Sequence, residues 1–349
     1  MGSVTDTSDD RPLVSVVVPA HNVSPYIDAC LWAIRRQTYP ALEVVVVDDG
    51  STDDSASIAE RHAADDPRIL VIRSAQNRGA AAARNTALQT VTGTFVVFAD
   101  ADDLMDPHLL EICVEATTRL SADVLQFTHV VIPHDAITLQ CHHASPADQR
   151  ITDVTGEAFF RLPVLLCTTF IRASLLDGVK DIFLERQPYS DKHFHWWLGL
   201  ASSSSHYLPE PLFGYRVRPD SLSSHRDDSL IELVESFVDV AHLLDSHGLL
   251  RTYAPILQQK SLGAAWVVLT TIDRRFVRKA ATAAQRLNAT SIAPHSPGRP
   301  EGARANLVRM VLPLGSTCTT VAFLLLRPAE RALVTLGRAR RRRIARAGR

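Results

Sequence analysis

The sequence predicts an α/β protein in which a mostly parallel sheet is flanked by helices, followed by a helical C-terminal extension. Two observations lead to this fold class. Apolar runs rich in β-branched residues alternate with helical patterns of roughly 12–15 residues, joined by short turns. Polar residues directly follow three of these runs, at the position where ligands bind in parallel sheets.

The first elements follow from local patterns. LVSVVVPAHN (13–22) predicts a strand that leads into a loop, and SPYIDACLWAIRRQ (24–37) predicts a helix with Ser24 as its N-cap. The later elements up to residue 132 are strands at 42–55 (ending in an acidic turn), 68–74, 94–104 and 123–132, with helices reaching to about 64, at 77–91, and from 106 to about 120.

The pattern is less regular after Pro133. Helices are predicted at 151–162 and 227–288, a strand turning into a short helix at 164–176, a loop leading into a helix at 181–201, and a strand with a polar loop at 208–226. We therefore expect the regular sheet in the first part of the chain and a helical extension at 226–288.

Cysteine usage and the N-terminus favour a reducing compartment. The five cysteines are scattered and contain no C-x-x-C pair, so neither a disulfide framework nor a zinc site is indicated. Residues 1–11 are polar and acidic, unlike a signal peptide, and are expected to be disordered.

The C-terminal segment 305–349 allows two interpretations. It carries ten arginines and one acidic residue, a net charge of +9 that leaves −10 for the rest of the chain. A Pro/Gly linker at 289–304 precedes it, and its longest uncharged stretch, 310–326, is short for a spanning helix. We favour an amphipathic or re-entrant helix whose arginines contact an anionic membrane. The alternative is a helix docked on the body, with a solvated tail.

Two acidic clusters follow predicted strands, Asp48-Asp49 and the stretch ADADD at 99–103. Carboxylates at the end of a buried strand repel one another by about 4 kcal/mol per pair at 4 Å. They are either loop and cap residues facing water or part of a divalent cation site, because Mg²⁺ and Mn²⁺ prefer carboxylate oxygens. The chain lacks G-x-x-x-x-G-K and G-x-G-x-x-G, so a phosphate ligand would need the cation and Arg or His side chains.

Four stretches resemble, in order and spacing, the motifs of family 2 glycosyltransferases with the GT-A fold: VSVVVPAHN, VVVVDDGSTDDS, NRGAAAARNTAL and VVFADADDL. The resemblance is close over 13–130 and looser to about 225. It implies a Rossmann-like GT-A domain at 12–225, with a nucleotide-sugar-binding half at 12–130 and an acceptor half at 131–225. It also implies inverting transfer from a nucleotide sugar, usually a UDP-sugar, assisted by Mg²⁺ or Mn²⁺.

The resemblance implies a role for each matching residue. Asp49, with Asp48 beside it, would accept a hydrogen bond from the base. Asp100 would contact the ribose, and Asp102 would bind the metal. Asp103 would either orient the donor sugar or cap the next turn. The remaining residues of the nucleotide-sugar site would be Pro19, His21, Asn22, Arg84 and Ala101.

The transfer also needs a carboxylate that takes the proton of the attacking acceptor hydroxyl. In the family this residue is the Asp of a Glu-Asp pair, and the matching stretch here is LERQPYSDKHFHWWL. Asp191 takes the place of that Asp, while Ser190 stands where the family usually has Glu. Glu185 is the alternative base. Of Trp196 and Trp197, we expect one to pack in the core and the other to offer a stacking face to a sugar.

YRVRPDSLSSHR (215–226) resembles the closing loop of the family, Y-R-x-R-x-x-S-x-S. Arg216, Arg218 or His225 would neutralise the leaving diphosphate, with His225 as a further metal ligand; the alternative is a surface hairpin with solvated arginines. The chain lacks the Q-x-x-R-W stretch that polymer synthases resembling this family usually carry. Transfer of a single sugar is therefore expected.

Together these expectations describe a glycosyltransferase at the cytoplasmic face of the cell membrane. Its acceptor would be a glycan or a lipid-linked precursor in envelope or exopolysaccharide synthesis, and it would have no nucleic-acid partner. Two alternatives stay open. One is a nucleotidyltransferase that makes the sugar nucleotide, which would need a Gly-rich N-terminal loop unlike PAHNVSPY. The other is a donor-binding or scaffold protein that has lost its base.

Overall fold

One β-sheet organises the first part of the chain. The computed structural model describes residues 11–144, 149–185, 189–218 and 226–290. Within these ranges the strands are β1 (Val14–Ala20), β2 (Leu42–Asp48), β3 (Ile69–Arg73), β4 (Phe95–Phe98), β5 (Leu104–Met105), β6 (Val124–Ile132), β7 (Thr152–Asp153), β8 (Thr169–Arg172) and β9 (Ser205–Arg216). The helices are α1 (Ile27–Arg35), α2 (Ser55–Asp65), α3 (Ala80–Leu88), α4 (Leu109–Leu120), α5 (Glu157–Arg161), α6 (Ser190–Ala201), α7 (Glu232–Ser246), α8 (Leu250–Thr271) and α9 (Val277–Thr290).

The longest ladders of this sheet are parallel. The strand order is β3-β2-β1-β4-β8-β6-β9-β5, with β7 paired to β9. Strands β3, β2, β1 and β4 run parallel, as do β6 and β9. The antiparallel ladders are short, with two or three residue pairs each. The predicted α/β fold with a mostly parallel, helix-flanked sheet is therefore confirmed.

Strand β1 is buried along its whole length, which explains its apolar composition. Neighbouring strands pair with both of its edges, and helices cover the faces of such a sheet. Helix α1 presents Ile27, Leu31 and Ile34 to the same core. Their spacing of three or four residues puts them on one helix face.

The chain changes its direction across the sheet at β1. It continues from β1 to β2 and β3 on one side and then returns to β4 on the other, so the ends of β1 and β4 mark the topological switch point. Strand β4 ends at Phe98, opposite Val17. Val17 accepts a hydrogen bond from Ala99 on this side, so the nitrogen of Pro19, two residues on, faces past the end of β4. There the missing N–H of proline removes no ladder bond.

The prediction of a helix at 151–162 was wrong for its first half. Residues Thr152 and Asp153 instead form β7, which pairs with Tyr207 and His206 of β9. Only Glu157–Arg161 is helical. The partner strand lies far away in the sequence, so the local pattern did not reveal the pairing.

Residues 226–290 form a separate compact unit, in which α7, α8 and α9 pack on one another. This confirms the predicted helical character of 227–288. Helix α9 runs two residues into the predicted linker, since it ends at Thr290. The rest of the linker, the segment 305–349, residues 1–10 and the predicted domain boundary at 225 lie outside the described residues.

No helix in the described ranges combines the length and the apolar composition that crossing a membrane requires.

Gly199 tests the packing that holds α6 in place. A Cβ at this position would touch the ring of Phe160 and come within 2.6 Å of Phe159, both on α5. We expect Gly199→Ala to lower the free energy of unfolding of the compact unit that precedes residue 220 by about 1–3 kcal/mol, as overpacking typically does. Urea denaturation followed by circular dichroism measures this change.

The matched control is Gly263→Ala in α8, where a Cβ would meet no atom within 4 Å. This variant should be neutral or more stable by about 0.5–1 kcal/mol, because alanine favours a helix over glycine. Unchanged stability of the Gly199→Ala variant would contradict the close packing of α5 on α6.

Candidate functional site

The loops after β1, β2 and β3 are joined by hydrogen bonds at the carboxyl edge of the sheet. Asn22 Oδ1 accepts the backbone N–H of Thr52 at 2.9 Å. His21 Nδ1 donates to the backbone carbonyl of Asp49 at 2.8 Å, and its Nε2 accepts from the Asn77 amide at 2.8 Å. His21 and Asn22 thus organise the loops around the predicted site.

Gly50 allows the loops after β2 and β3 to approach each other. Its φ is +66°, and a Cβ would lie 2.8 Å from backbone atoms of both Gln76 and Asn77. Only glycine combines this conformation with this close approach at no steric cost. The glycine of the DDGS stretch is therefore a structural requirement of the edge.

Asp48 and Asp49 are both buried but differ in their partners. The Asp49 carboxylate accepts the backbone N–H groups of Arg78 at 3.0 Å and Gly79 at 2.6 Å, at the start of α3. Asp48 Oδ2 has only a 3.4 Å contact with the N–H of Ser51, and its Oδ1 is buried without a partner among the described residues. A buried acceptor left unsatisfied is costly. Asp48 therefore has the greater unused capacity for a ligand.

Helix α3 brings Arg84 to the end of β4. A terminal nitrogen of its guanidinium lies 2.8 Å from Asp100 Oδ1, and the guanidinium carbon lies 5.7 Å from the centre of the Phe183 ring. The Arg84 side chain is mostly buried, and its Nε has no hydrogen-bond partner within the described ranges. Arg84 and Asp100, predicted on separate elements, thus meet at the switch point.

Asp102 and Asp103 contact the end of β9 and the residues that follow it. Asp102 Oδ2 lies 2.6 Å from Arg218 Nε, and Asp103 Oδ1 accepts the backbone N–H of Arg216 at 2.7 Å. Burial, together with the charges of Asp100 and Asp102, raises the pKa of Asp103 to about 9. Burial and Asp100 also raise the pKa of Asp102. A bound cation would favour the charged carboxylates, so this group fits a divalent ion.

The Arg216 guanidinium is buried and committed to the main chain. It donates to the carbonyl groups of Asp102, Pro133, His134 and Ala136. Arg216 therefore holds the segment 133–136 against the acidic cluster. Of the two arginines predicted to meet a diphosphate, Arg218 is the one whose guanidinium lies against a carboxylate of that cluster.

The closest set of possible cation ligands near this edge is Asp100, Asp103 and Cys167, whose ligand atoms lie within 4.8 Å of one another. Burial, with the nearby charge of Asp100, raises the pKa of the Cys167 thiol well above its usual value, and hard cations prefer oxygen. The two carboxylates are therefore the better ligands of this set. The other predicted ligand, His225, lies outside the described residues.

The predicted base, Asp191, lies in the first turn of α6. Phe194, three residues later on the same helix face, packs edge-to-face on Phe98, the last residue of β4, with ring centres 5.9 Å apart. The face of α6 that carries Asp191 is thus directed towards the end of β4. Asp191 is partly exposed and pairs with Lys192 at 2.8 Å, whereas Ser190, in the family's Glu position, is buried.

The alternative base, Glu185, is tied to α3. Its Oε2 lies 2.6 Å from the guanidinium of Arg78, and the neighbouring Phe183 exchanges main-chain hydrogen bonds of 2.9 and 3.1 Å with the side chain of Asn85. Glu185 therefore lies next to Arg78, whose backbone N–H binds the Asp49 carboxylate.

Trp196 is fully buried and stacks on Phe160 with ring centres 4.4 Å apart. Trp197 is partly exposed. The prediction that one of the two tryptophans packs in the core is confirmed.

The family model described as Glycosyl transferase family 2 matches residues 15–174. TuaG of Bacillus subtilis, named as a teichuronic acid biosynthesis glycosyltransferase, is 40% identical over 227 residues, which cover 62% of this chain and 83% of TuaG. The protein belongs to glycosyl transferase family 2. The resemblance stated from its four motifs is thereby confirmed.

Other relatives share part of their length with this family 2 chain. EpsJ of Bacillus subtilis, described as a glycosyltransferase, is 30% identical over 61% of the chain and 63% of EpsJ. The Escherichia coli chondroitin synthase is 41% identical over 30% of the chain and 15% of the synthase. The chain therefore spans less than two thirds of the length of these relatives.

Solved structures confirm the GT-A fold of the family 2 chain. TarS of Staphylococcus aureus in complex with UDP superimposes with a TM-score of 0.54 at 21% identity, covering 80% of this chain and 86% of that chain. The mannosyltransferase PcManGT of Pyrobaculum calidifontis, in complex with GDP-Man and Mn²⁺, gives a TM-score of 0.54 at 23% identity, covering 91% and 87%.

A cavity of about 520 Å³ lies elsewhere in the family 2 domain, between α3 and residues 173–182. Val96 and Gly93, near the amino end of β4, contribute to its lining, whereas none of the predicted site residues does. The candidate site at the carboxyl edge is therefore separate from this cavity.

Sequence reasoning missed several partners at the edge of the family 2 domain. The backbone of Arg78 and Gly79 binds Asp49, and Cys167 lies beside the acidic cluster. The glycine in NRGA was a usable signal, because Gly79 precedes α3 with a φ of +93°. No local pattern indicated Cys167.

Asp103→Asn tests the electrostatic crowding at this edge. The folded chain holds a proton on Asp103 up to about pH 9, whereas an ordinary aspartate releases it near 3.8. The stability that this group contributes is therefore full below about pH 4 and is lost as the pH rises towards 9. Asparagine does not titrate, so the melting temperature should fall less between pH 5 and 9 in the variant than in the wild type, measured with EDTA and no nucleotide.

Asp65→Asn is the control, because Asp65 is an exposed carboxylate on α2. Its melting temperature should follow the wild-type pH dependence. If the Asp103→Asn curve also runs parallel to the wild type, the raised pKa of Asp103 is wrong.

Proposed function

We propose that the protein transfers one sugar from a nucleoside diphosphate sugar, a UDP-sugar, to an acceptor hydroxyl with inversion, assisted by Mg²⁺ or Mn²⁺. The observation that carries this proposal is the gathering of carboxylates at the switch point. Asp48 offers a buried oxygen without a partner among the described residues, and the Asp100–Asp103 turn offers carboxylates whose pKa values are raised. The Asp48 oxygen suits an N–H group of the base, and the carboxylates of the turn suit a cation bound to a diphosphate.

Asp48 is proposed to bind the base. The carboxylate of Asp49 already accepts two backbone N–H groups, whereas Asp48 Oδ1 can accept the imide N–H of uracil. A guanine N–H would suit the same acceptor, and PcManGT was solved with GDP-Man, so a guanine donor belongs in the experiment below. Asp100 and Arg84, which form an ion pair, are proposed to contact the ribose and the phosphates.

Asp102 is proposed to hold the cation, together with a carboxylate of the same turn. When bound, Mg²⁺ or Mn²⁺ supplies positive charge that stabilises the departing diphosphate. Arg218, whose Nε lies 2.6 Å from Asp102, adds a second positive charge for the same oxygens. Asp103 keeps the turn closed by accepting the N–H of Arg216.

Asp191 is proposed to act as the general base. As the acceptor oxygen attacks the anomeric carbon from the side opposite the diphosphate, the hydroxyl proton passes to the Asp191 carboxylate. The position of Asp191 in the first turn of α6, on the face that packs at the end of β4, supports this role. Ser190 is buried and takes no part in proton transfer.

The acceptor is proposed to be a glycan or a lipid-linked precursor of an envelope or secreted polysaccharide. The names of two relatives support this class, since TuaG is assigned to teichuronic acid biosynthesis and another relative is a chondroitin synthase. The arginine-rich segment 305–349 would hold the protein at anionic lipid on the cytoplasmic side.

Donor turnover tests the proposal directly. Purified full-length protein is incubated with UDP-glucose, UDP-N-acetylglucosamine or GDP-mannose, with Mg²⁺, Mn²⁺ or EDTA, and released nucleoside diphosphate is measured. We expect metal-dependent release from a UDP-sugar. Binding of a donor without turnover of any donor, with or without a membrane-extract acceptor, would favour the scaffold alternative.

Asp102→Asn should reduce donor turnover by about 100-fold or more, because a metal clamp supplies several kcal/mol of charge stabilisation. Asp65→Asn, which changes an exposed carboxylate on α2, should leave turnover unchanged. Full metal-dependent turnover by the Asp102→Asn variant would show that the cation is held elsewhere.

Asp191→Asn and Glu185→Gln distinguish the two candidate bases. Loss of a general base lowers kcat by about 10²–10⁴-fold, and we expect this loss in Asp191→Asn with UDP-sugar binding intact. Glu185→Gln should change donor affinity more than kcat, because Glu185 pairs with Arg78 beside the Asp49 loop. The reverse result would make Glu185 the base.

A further inference from the structure

A second cluster of possible ligands lies at the start of α4, three residues beyond the acidic turn. Asp106 Oδ1 lies 2.8 Å from His143 Nε2 and 3.5 Å from His108 Nδ1, and the three ligand atoms all lie within 4.8 Å of one another. Ligand atoms around a tetrahedral zinc ion are about 3.3 Å apart, given zinc–ligand distances near 2.05 Å. The three side chains thus approach the spacing of a shared cation.

The charge of Asp106 has no ordinary partner. Its side chain is completely buried, and no Lys or Arg of the described residues forms an ion pair with it. Its polar neighbours are the two imidazoles and the backbone N–H groups of His108 and Cys141, which donate to it at 3.0 and 2.8 Å. His108 Nδ1 is buried without a hydrogen-bond partner in the described part of the chain. A buried carboxylate needs a positive partner, and a metal ion between it and the imidazoles supplies one.

The surroundings also match the outer layer of a metal site. Metal-binding histidines commonly direct their second ring nitrogen at a carboxylate, which fixes the ring. His143 Nδ1 lies 3.7 Å from Glu210 Oε2, while its Nε2 faces Asp106. The second oxygen of Asp106 accepts the backbone N–H of Cys141 at 2.8 Å. The Cys141 N–H therefore holds Asp106, whereas His143 Nδ1 has no hydrogen-bond partner among the described residues and has Glu210 as its nearby carboxylate.

The donor set determines the kind of ion. Two imidazole nitrogens and one carboxylate oxygen suit Zn²⁺ or a similar first-row transition ion, whereas Mg²⁺ prefers oxygen ligands throughout. This set differs from the all-oxygen chemistry of the Asp100–Asp103 turn, so the two sites would select different ions.

We propose that Asp106, His108 and His143 bind a structural divalent transition ion, with Zn²⁺ as the representative, and that Glu210 orients His143. The ion would join the start of α4 to the segment around His143. The same stretch of chain supplies, at 133–136, the carbonyl groups that receive the Arg216 guanidinium. The site would thus stabilise the segment that supports the acidic turn.

Calorimetric titration of ZnCl₂ into the full-length protein, in buffer with saturating MgCl₂, tests the proposal. We expect His143→Gln and His108→Gln to lose one equivalent of Zn²⁺ that the wild type binds. Glu210→Gln should weaken this binding by about 10–100-fold, as loss of an outer partner does. Asp102→Asn should keep the equivalent, because it changes only the other site.

His142→Gln is the matched control, because the exposed His142 neighbours His143 in the sequence and is not part of the cluster. It should bind Zn²⁺ like the wild type and show the same rise in melting temperature with Zn²⁺. Because the His108 side chain is 44% exposed, its replacement reports on the site even where His143→Gln does not fold. Absence of Zn²⁺ binding by the wild type, or wild-type binding by His108→Gln, would overturn the proposal.

Discussion

The different lengths of β1 and β4 determine where the acidic turn of the candidate site lies, and the contacts around that turn depend on this difference. Strand β4 ends at Phe98, opposite Val17, whereas β1 continues to Ala20. The chain leaving β4 turns at Asp100–Asp103 beside the last residues of β1, which pair with β2 but not with β4. Pro19 suits this stretch because it has no N–H to offer a neighbour. The switch point of the sheet thus carries a turn rich in carboxylates.

Arginines from distant parts of the chain reduce the repulsion between the carboxylates of the acidic turn. Arg84 from α3 and Arg218 after β9 each contact one carboxylate, at 2.8 and 2.6 Å, while Asp103 lies buried and holds its proton far above the usual pH. Like charges in a medium of low dielectric repel strongly. Asp100 and Asp102 are paired with arginines and Asp103 is protonated, so the three acidic groups can lie close together.

Local sequence patterns were sufficient for the longer strands, the helical extension and the edge at which the polar residues meet, but not for the two-residue strands β5 and β7. Each of these depends on neighbouring residues or on the rule that parallel strands end together. The patterns were insufficient where a partner comes from far along the chain. The pairing of β7 with β9, the backbone bonds from Arg78 to Asp49, and the four carbonyl groups around Arg216 all depend on long-range contacts. These contacts occupy the carboxylate of Asp49 and the guanidinium of Arg216.

The Arg216 guanidinium has a mechanical consequence. It is a rigid plane bonded at once to the carbonyl of Asp102 and to carbonyls of the segment 133–136. Such a plane cannot stretch, so a displacement of that segment is passed on to the peptide of Asp102. Lysine has a single ammonium group and would not make these hydrogen bonds in the same fixed, planar geometry. The segment 133–136, in the half of the domain beyond residue 131, is thereby joined to the acidic turn through a single side chain.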